Sequence, residues 1–257
     1  MDFRRLKPCE SPFFQTSMGT IVALNAVLAD IASQGGADAY WILGDLVALG
    51  PEPVRTLQIL SALPNARFIR GNTDRYVCNG DRPSPSIEEA KSNSHLLEAL
   101  VEIANTFAWT QGMITAGGWL RWLGELPLEM RVTLPDGTRF LGVHASPGQD
   151  DGPGIGPNRE TADLAGILRD SQADLLCVGH THRPWQRRIH DVHIVNLGAV
   201  SLSLTDDKAA SYVLLTAQAD TYSIEHRKVS YDRHAVINQL NQIAHPGRGY
   251  LIKHLSD

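Results

Sequence analysis

Leu175-Leu-Cys-Val-Gly-His-Thr-His182 opens with four apolar residues and stops on a glycine, followed by two imidazoles two positions apart. A short apolar run bounded by glycine reads as a buried strand, which places both histidines just beyond its C-terminal end. Three other stretches repeat the device. Ala39-Tyr-Trp-Ile-Leu43 runs into Gly44-Asp45, Arg67-Phe-Ile-Arg70 into Gly71-Asn72-Thr73-Asp74, and Arg139–Val143 into His144-Ala-Ser146. Between them lie segments with helical spacing: Ile21 to Ala32, Pro53 to Leu63 and Thr161 to Asp170. Strands alternating with helices, with polar residues at the strand tips, predict an α/β fold whose working groups sit on the loops after the strands.

The remaining segments fill in around this frame. Residues 76–126 start turn-rich and continue with helical spacing, which predicts a helical insertion over one edge of the core. Trp109, Trp119 and Trp122 within it read as packing rather than as a pocket. Pro135-Asp-Gly137 joins two strands as a hairpin. Leu175–Val178, Trp185–Arg188, Val192–Val195, Ser211–Leu215 and Thr221–Glu225 are expected as short strands of a second sheet, and Val236 to Ile243 as a closing helix. A single domain over 1–257 is expected, with 1–20 as an atypical N-terminus.

Composition narrows the class. The 257 residues carry 23 Lys and Arg against 28 Asp and Glu, a formal charge of -5, so general nucleic-acid binding is not expected. Three cysteines without a C-x-x-C pair speak against a disulfide scaffold or an all-sulfur zinc site. No apolar run approaches the ~20 residues of a bilayer span, and the N-terminus lacks the apolar region of a secretory leader. A cytoplasmic protein without membrane contact is the expectation; no heptad seam speaks to oligomeric state.

Asp45, Asn72, His144, His180 and His182 are oxygen and imidazole donors suited to Mn, Fe, Zn, Ni or Co. A carboxylate such as Asp45 can bridge two cations through its two oxygens, and cations ~3.5–4 Å apart clamp a phosphate and activate water. Taken singly, Asp45 reads as a cap or turn residue, Asn72 and Asp74 as turn residues, and His144 as a buried, satisfied histidine. All four clusters, each at a strand end, point instead to a metal centre.

In this order the clusters resemble the calcineurin-like metallophosphoesterase superfamily, and Gly71-Asn72-Thr73-Asp74 with a moderate insertion resembles its small bacterial and archaeal YfcE-like phosphodiesterases. Asn196-Leu-Gly-Ala-Val-Ser201 is similar to the family's Asn-Pro-Gly-Ser stretch. The resemblance runs from about Ile21 to Glu225. It implies a four-layer α/β/β/α sandwich of two mixed sheets and a site for two divalent ions. Asp45 would bridge them, Asn72, His144 and His180 would complete one site, and His182 would serve the other. Asp45, Asn72 and Asp74 would thus be catalytic, Asp74 by orienting a ligating histidine or a water. Thr73 stands where many members place a histidine acid. The implied substrate is a small phosphate ester, with nucleotides among those compatible.

One family motif is missing. Its first strand ends in Asp-x-His-Gly-Asn, and here Thr16 and Met18 stand at the Asp and His positions, neither a good ligand for a hard cation. Residues 7–12, with two prolines, do not read as a buried first strand. Permitted codons for Pro8 to Thr20, read one base out of frame, spell Met-Arg-Ile-Ala-Ile-Leu-Ser-Asp-Ile-His-Gly-Asn, which leads directly into Ile21. A one-base frameshift before Ile21 is therefore the favoured explanation over a diverged N-terminus. The chain as written is expected to hold one ion and hydrolyse weakly. The rival expectation is a non-catalytic metal- or nucleotide-binding pseudoenzyme.

Overall fold

The computed structural model describes residues 9–14 and 19–256. The strands are β1 (Cys9–Phe14), β2 (Tyr40–Leu43), β3 (Ala66–Ile69), β4 (Glu129–Thr133), β5 (Arg139–Val143), β6 (Leu175–Val178), β7 (Trp185–Ile189), β8 (Val192–Asn196), β9 (Ala210–Ala217) and β10 (Tyr222–Val229). The helices are α1 (Ile21–Ser33), α2 (Pro53–Ser61), α3 (Asn72–Asn79), α4 (Ile87–Ser92), α5 (Leu97–Ala116), α6 (Leu120–Gly124), α7 (Thr161–Ser171), α8 (Arg233–Gln242) and α9 (Arg248–Ser256). Two five-stranded sheets run in the orders β10-β9-β1-β2-β3 and β4-β5-β6-β8-β7. In the second, the parallel strands β5, β6 and β8 are flanked by antiparallel β4 and β7; in the first, β1, β2 and β3 run parallel to one edge, and β9 and β10 add antiparallel pairings on the other side of β1.

The sheets face each other across a layer built from Trp41, Leu43, Ile69, Val213 and Leu215 on one side and Met130, Phe140, Leu175, Cys177 and Val195 on the other. Because β2 and β6 are buried along their whole length, both are apolar throughout rather than alternating. On the outer face of the first sheet, Leu24, Val27 and Ile31 of α1 join Leu57 and Leu60 of α2 and Phe107 of α5 in a second apolar layer. Leu164 and Leu168 of α7 cover the other sheet. The result is the expected α/β/β/α sandwich. Trp119 and Trp122 pack edge to face, and Trp122 does the same with Phe68, so these two rings are core.

Three expectations need correction. Residues 9–14 do form a strand, and it lies inside the first sheet, parallel to β2 and antiparallel to β9. Open ladders on both flanks outweigh the poor strand propensity, and Pro12 falls just before Phe13, the first residue paired with β2. β9 and β10 extend the first sheet rather than the second, because β9 is the antiparallel neighbour of β1. The C-terminal region holds a further helix, α9, which packs with α8 through Leu240, Leu251 and Leu255; its short, mixed apolar pattern gave little periodic signal.

Candidate metal centre

Asp45, Asn72, His144, His180 and His182 come from four chain segments and meet at the C-terminal ends of the parallel strands. Asp45 follows β2, Asn72 opens α3 after β3, His144 follows β5, and His180 and His182 follow β6. His144 Nε2 lies 3.0 Å from Asn72 Oδ1 and 3.4 Å from Asp45 Oδ2. His180 Nδ1 is 3.2 Å from the same Asn72 oxygen, and His182 Nε2 is 3.8 Å from Asp45 Oδ2.

Each imidazole is held through its other nitrogen by a backbone carbonyl. His144 Nδ1–H donates to Leu43 O at 2.7 Å, His182 Nδ1–H to Leu202 O at 2.8 Å, and His180 Nε2–H to Gly152 O at 2.8 Å. In the neutral ring this fixes the tautomer, so the nitrogen facing the cluster carries a lone pair. Five acceptor atoms, Asp45 Oδ2, Asn72 Oδ1, His144 Nε2, His180 Nδ1 and His182 Nε2, thus gather with no proton between them when the rings are neutral.

That arrangement fits a cation. Ions with ~2.1 Å bonds hold neighbouring donors ~3.0 Å apart in an octahedron and ~3.4 Å apart in a tetrahedron. The separations of 3.0, 3.2 and 3.4 Å among Asp45, Asn72, His144 and His180 fall in that range. Among the described residues, no group of His, Cys, Asp and Glu alone forms a metal cluster; here the amide oxygen of Asn72 joins the set. Electrostatics agree. Burial pushes the Asp45 carboxyl up, but the neighbouring His144 and His182 outweigh it and hold it well below the usual carboxylate range. Burial pulls His144 down, and the Asp45 charge more than offsets it, leaving the ring raised. The pocket of donors favours positive charge.

The two oxygens of Asp45 have different surroundings. Oδ1 accepts the Thr73 hydroxyl at 2.7 Å and the Thr73 N–H at 3.2 Å, while Oδ2 alone faces His144 and His182. The oxygens of Asp74 accept the N–H groups of Leu46 at 2.7 Å and Gly71 at 2.9 Å. It ties the loop after β2 to the turn before α3. Burial and the nearby Asp45 charge push it up to about 7. Thr16 and Met18 lie outside the described residues.

The backbone around these donors is tightly constrained. Asp45, His180 and His182 all adopt left-handed conformations, with φ of 60°, 62° and 55°, a cost that persists where surrounding contacts enforce it. Gly71 has to be glycine, because a Cβ there would meet Asp45 N and Oδ1 at 2.4 Å. Asn196 clamps the His180 loop: its Nδ2 donates to Gly179 O at 2.9 Å and Thr181 Oγ1 at 3.0 Å. Arg70 is not free for phosphate, since its Nε pairs with Asp150, as does that of Arg75. Thr73, Gly152 and Leu202 were not singled out as supports in the sequence; their roles depend on contacts that spacing does not reveal.

A sandwich of two mixed sheets with convergent Asp, Asn and His donors at its strand ends defines a metallophosphoesterase-like protein. A family model for the calcineurin-like phosphoesterase superfamily domain matches residues 20–220, and the chain belongs to that superfamily. It is similar in structure to a metallophosphoesterase from Sphaerobacter thermophilus, with 22% identity, 97% of this chain and 99% of that one covered, and a TM-score of 0.76. A hypothetical protein from Pyrococcus horikoshii OT3 is similar at 21% identity, covering 96% and 97%, with a TM-score of 0.77. At those identities the likeness shows the fold. A symmetrical bis(5'-nucleosyl)-tetraphosphatase from Pectobacterium carotovorum is 37% identical over 60 residues, which are 23% of this chain and 21% of that protein. The chain thus spans about a fifth of that relative's length.

Proposed function

We propose that the chain is a metal-dependent phosphoesterase, holding a first-row divalent ion through Asp45 Oδ2, Asn72 Oδ1, His144 Nε2 and His180 Nδ1. The observation that carries this is the mutual spacing of those atoms, each imidazole oriented by a carbonyl. Bound there, a cation neutralises phosphoryl oxygens and lowers the pKa of water. The chain's own residues hold the geometry: Thr73 fixes Asp45, Asn196 fixes the His180 loop, and Asp74 joins the loops carrying Asp45 and Asn72. His182, whose Nε2 is 3.8 Å from Asp45 Oδ2, would help hold a second ion together with Asp45. With Thr16 and Met18 in the sequence at the positions of two further ligands, we read that second site as impaired and turnover as weak.

Manganese is the ion we favour, since oxygen donors accompany the imidazoles. We assign the protein to the cytoplasm: Cys78 and Cys177 are free thiols, as suits a reducing compartment. No helix among the described residues is long and apolar enough to cross a membrane. A small phosphate ester, a nucleotide included, is the substrate we infer, with support from the tetraphosphatase similarity.

Elemental analysis and isothermal titration with Mn2+ test the reading, alongside hydrolysis of bis(p-nitrophenyl) phosphate. One ion per chain, lost in Asp45→Ala and Asn72→Ala, is expected, with slow hydrolysis. Absence of metal binding by the folded protein overturns it. The replaced pair at 16 and 18 favours one other reading, a metal-binding pseudoenzyme, which binds the ion and shows no turnover above that of Asp45→Ala.

A further inference from the structure

A cavity of about 330 Å³ opens directly from the donor cluster, with Asp45, Asn72, Thr73, His180 and His182 forming its inner end. Its outer walls belong to α5 and to residues 247–251. Those two segments are in close register: a Cβ on Gly247 would meet Thr106 Oγ1 at 2.5 Å, and Tyr250 N–H donates to Glu102 Oε1 at 2.8 Å. Tyr76, Ile103, Phe107 and Leu251 give the cavity an apolar lining.

The polar groups along the walls already have partners. Glu102 Oε1 is taken by Tyr250, Thr106 Oγ1 donates to Glu102 O at 2.7 Å, Ser84 Oγ donates to Glu89 Oε2 at 3.0 Å, and the Tyr76 hydroxyl donates to Asp151. The described lining residues include Glu102 and no lysine or arginine. A chain of phosphates entering here would bring several negative charges against a carboxylate and apolar carbon, with no guanidinium or ammonium among the described lining residues to pair them. Arg82, which lies over the Phe107 ring, already donates to the Tyr76 and Asp81 carbonyls.

Resting on the phosphoesterase reading, we propose that this cavity selects esters that carry a single phosphoryl group and an uncharged, largely apolar or aromatic alcohol. The phosphoryl group lies at the donor cluster and the ring lies between α5 and residues 247–251. Polyphosphate chains, such as the one named for the tetraphosphatase relative, are the substrates it disfavours.

The test is titration calorimetry on the Mn-supplemented full chain with three probes: inorganic phosphate, phenylphosphonate and tripolyphosphate. Burying one phenyl ring is worth at least about tenfold in affinity, so phenylphosphonate is expected to bind at least about tenfold tighter than phosphate. That ratio should shrink to within about threefold in Ala99→Trp, which fills the cavity from an exposed helical position, and in Ile103→Glu, which charges its wall. Circular dichroism confirms that each variant is folded. Equal affinity for phosphate and phenylphosphonate overturns the inference while leaving the phosphoesterase reading intact, as does tighter binding of tripolyphosphate than of phenylphosphonate. Failure of phosphate itself to bind overturns both.

Discussion

The Thr73 hydroxyl donates to Asp45 Oδ1 at 2.7 Å, and this bond turns the other carboxylate oxygen toward His144 and His182. Thr73→Val keeps the side-chain shape and removes the hydroxyl donor, while the backbone N–H at 3.2 Å stays on Oδ1. Loss of a bond that orients a metal ligand costs roughly 10–100-fold in metal affinity. Titration with Mn2+ is expected to show that loss, with the melting temperature changed little; an unchanged affinity would remove Thr73 from the site.

Asn196 acts at longer range. Its amide donates to Gly179 O, Thr181 Oγ1 and Ile155 O, and its Oδ1 accepts from Gly198 N–H at 3.0 Å. Asn196→Ala strands several buried polar groups, at about 1–3 kcal/mol for each left unpaired. The His180 loop should loosen, so hydrogen exchange at residues 179–182 is expected to rise together with a weaker Mn2+ affinity. Asn196→Asp should recover neither, because a carboxylate cannot donate to the three acceptors.

Acid should weaken the C-terminal wall of the cavity. His245 is fully buried, accepts the Gly247 N–H on Nδ1, and packs edge to face on Trp109. Burial, aided by the Arg248 charge, pushes it down to about 4. An unfolded chain protonates this ring near pH 6.5, so between about 4 and 6.5 the unfolded state binds the extra proton. Stability from this group is therefore complete above that window and falls with pH through it, by about 2 kcal/mol at pH 5. Urea denaturation of His245→Phe at pH 7 and pH 5 should show a difference between the two smaller by about that amount. An identical pH dependence in both proteins would exclude His245 as its source.

The missing motif gives a prediction about stoichiometry. Thr16→Asp combined with Met18→His, or expression from the alternative frame through residues 8–20, is expected to raise bound Mn from one ion per chain to two. Phosphodiester hydrolysis should rise at least tenfold. The gene's own codons are a separate check, since codons that forbid the shifted frame leave divergence as the explanation. One ion per chain in the repaired protein would mean that His182 serves no second site.

The convergence of these side chains was readable where a residue follows an apolar run that reads as a buried strand, as before Asp45 and His180, whereas β3 before Asn72 carries Arg67 and is only partly buried. Asp45 after Tyr40–Leu43 and His180 after Leu175–Val178 needed no knowledge of the partners. What escaped was information held between segments. The different surroundings of the two Asp45 oxygens depend on Thr73, twenty-eight residues away, and the cavity wall depends on α9, whose apolar positions are too few to show a period. β1 was misjudged for a related reason: its place is set by two neighbours with open ladders, and its own residues argue against a strand.

Gly142 and Leu43 lie two residues before His144 and Asp45, on opposite sheets, and a methyl on Gly142 would press on Leu43 Cδ2 at 3.0 Å. The thickness of the hydrophobic filling is therefore the ruler for the proposed metal centre. Because interiors are packed too densely to absorb extra volume locally, enlarging a side chain in that filling would pry one half of the ligand set from the other. Selection on the proposed centre would thus reach apolar positions that line no part of it.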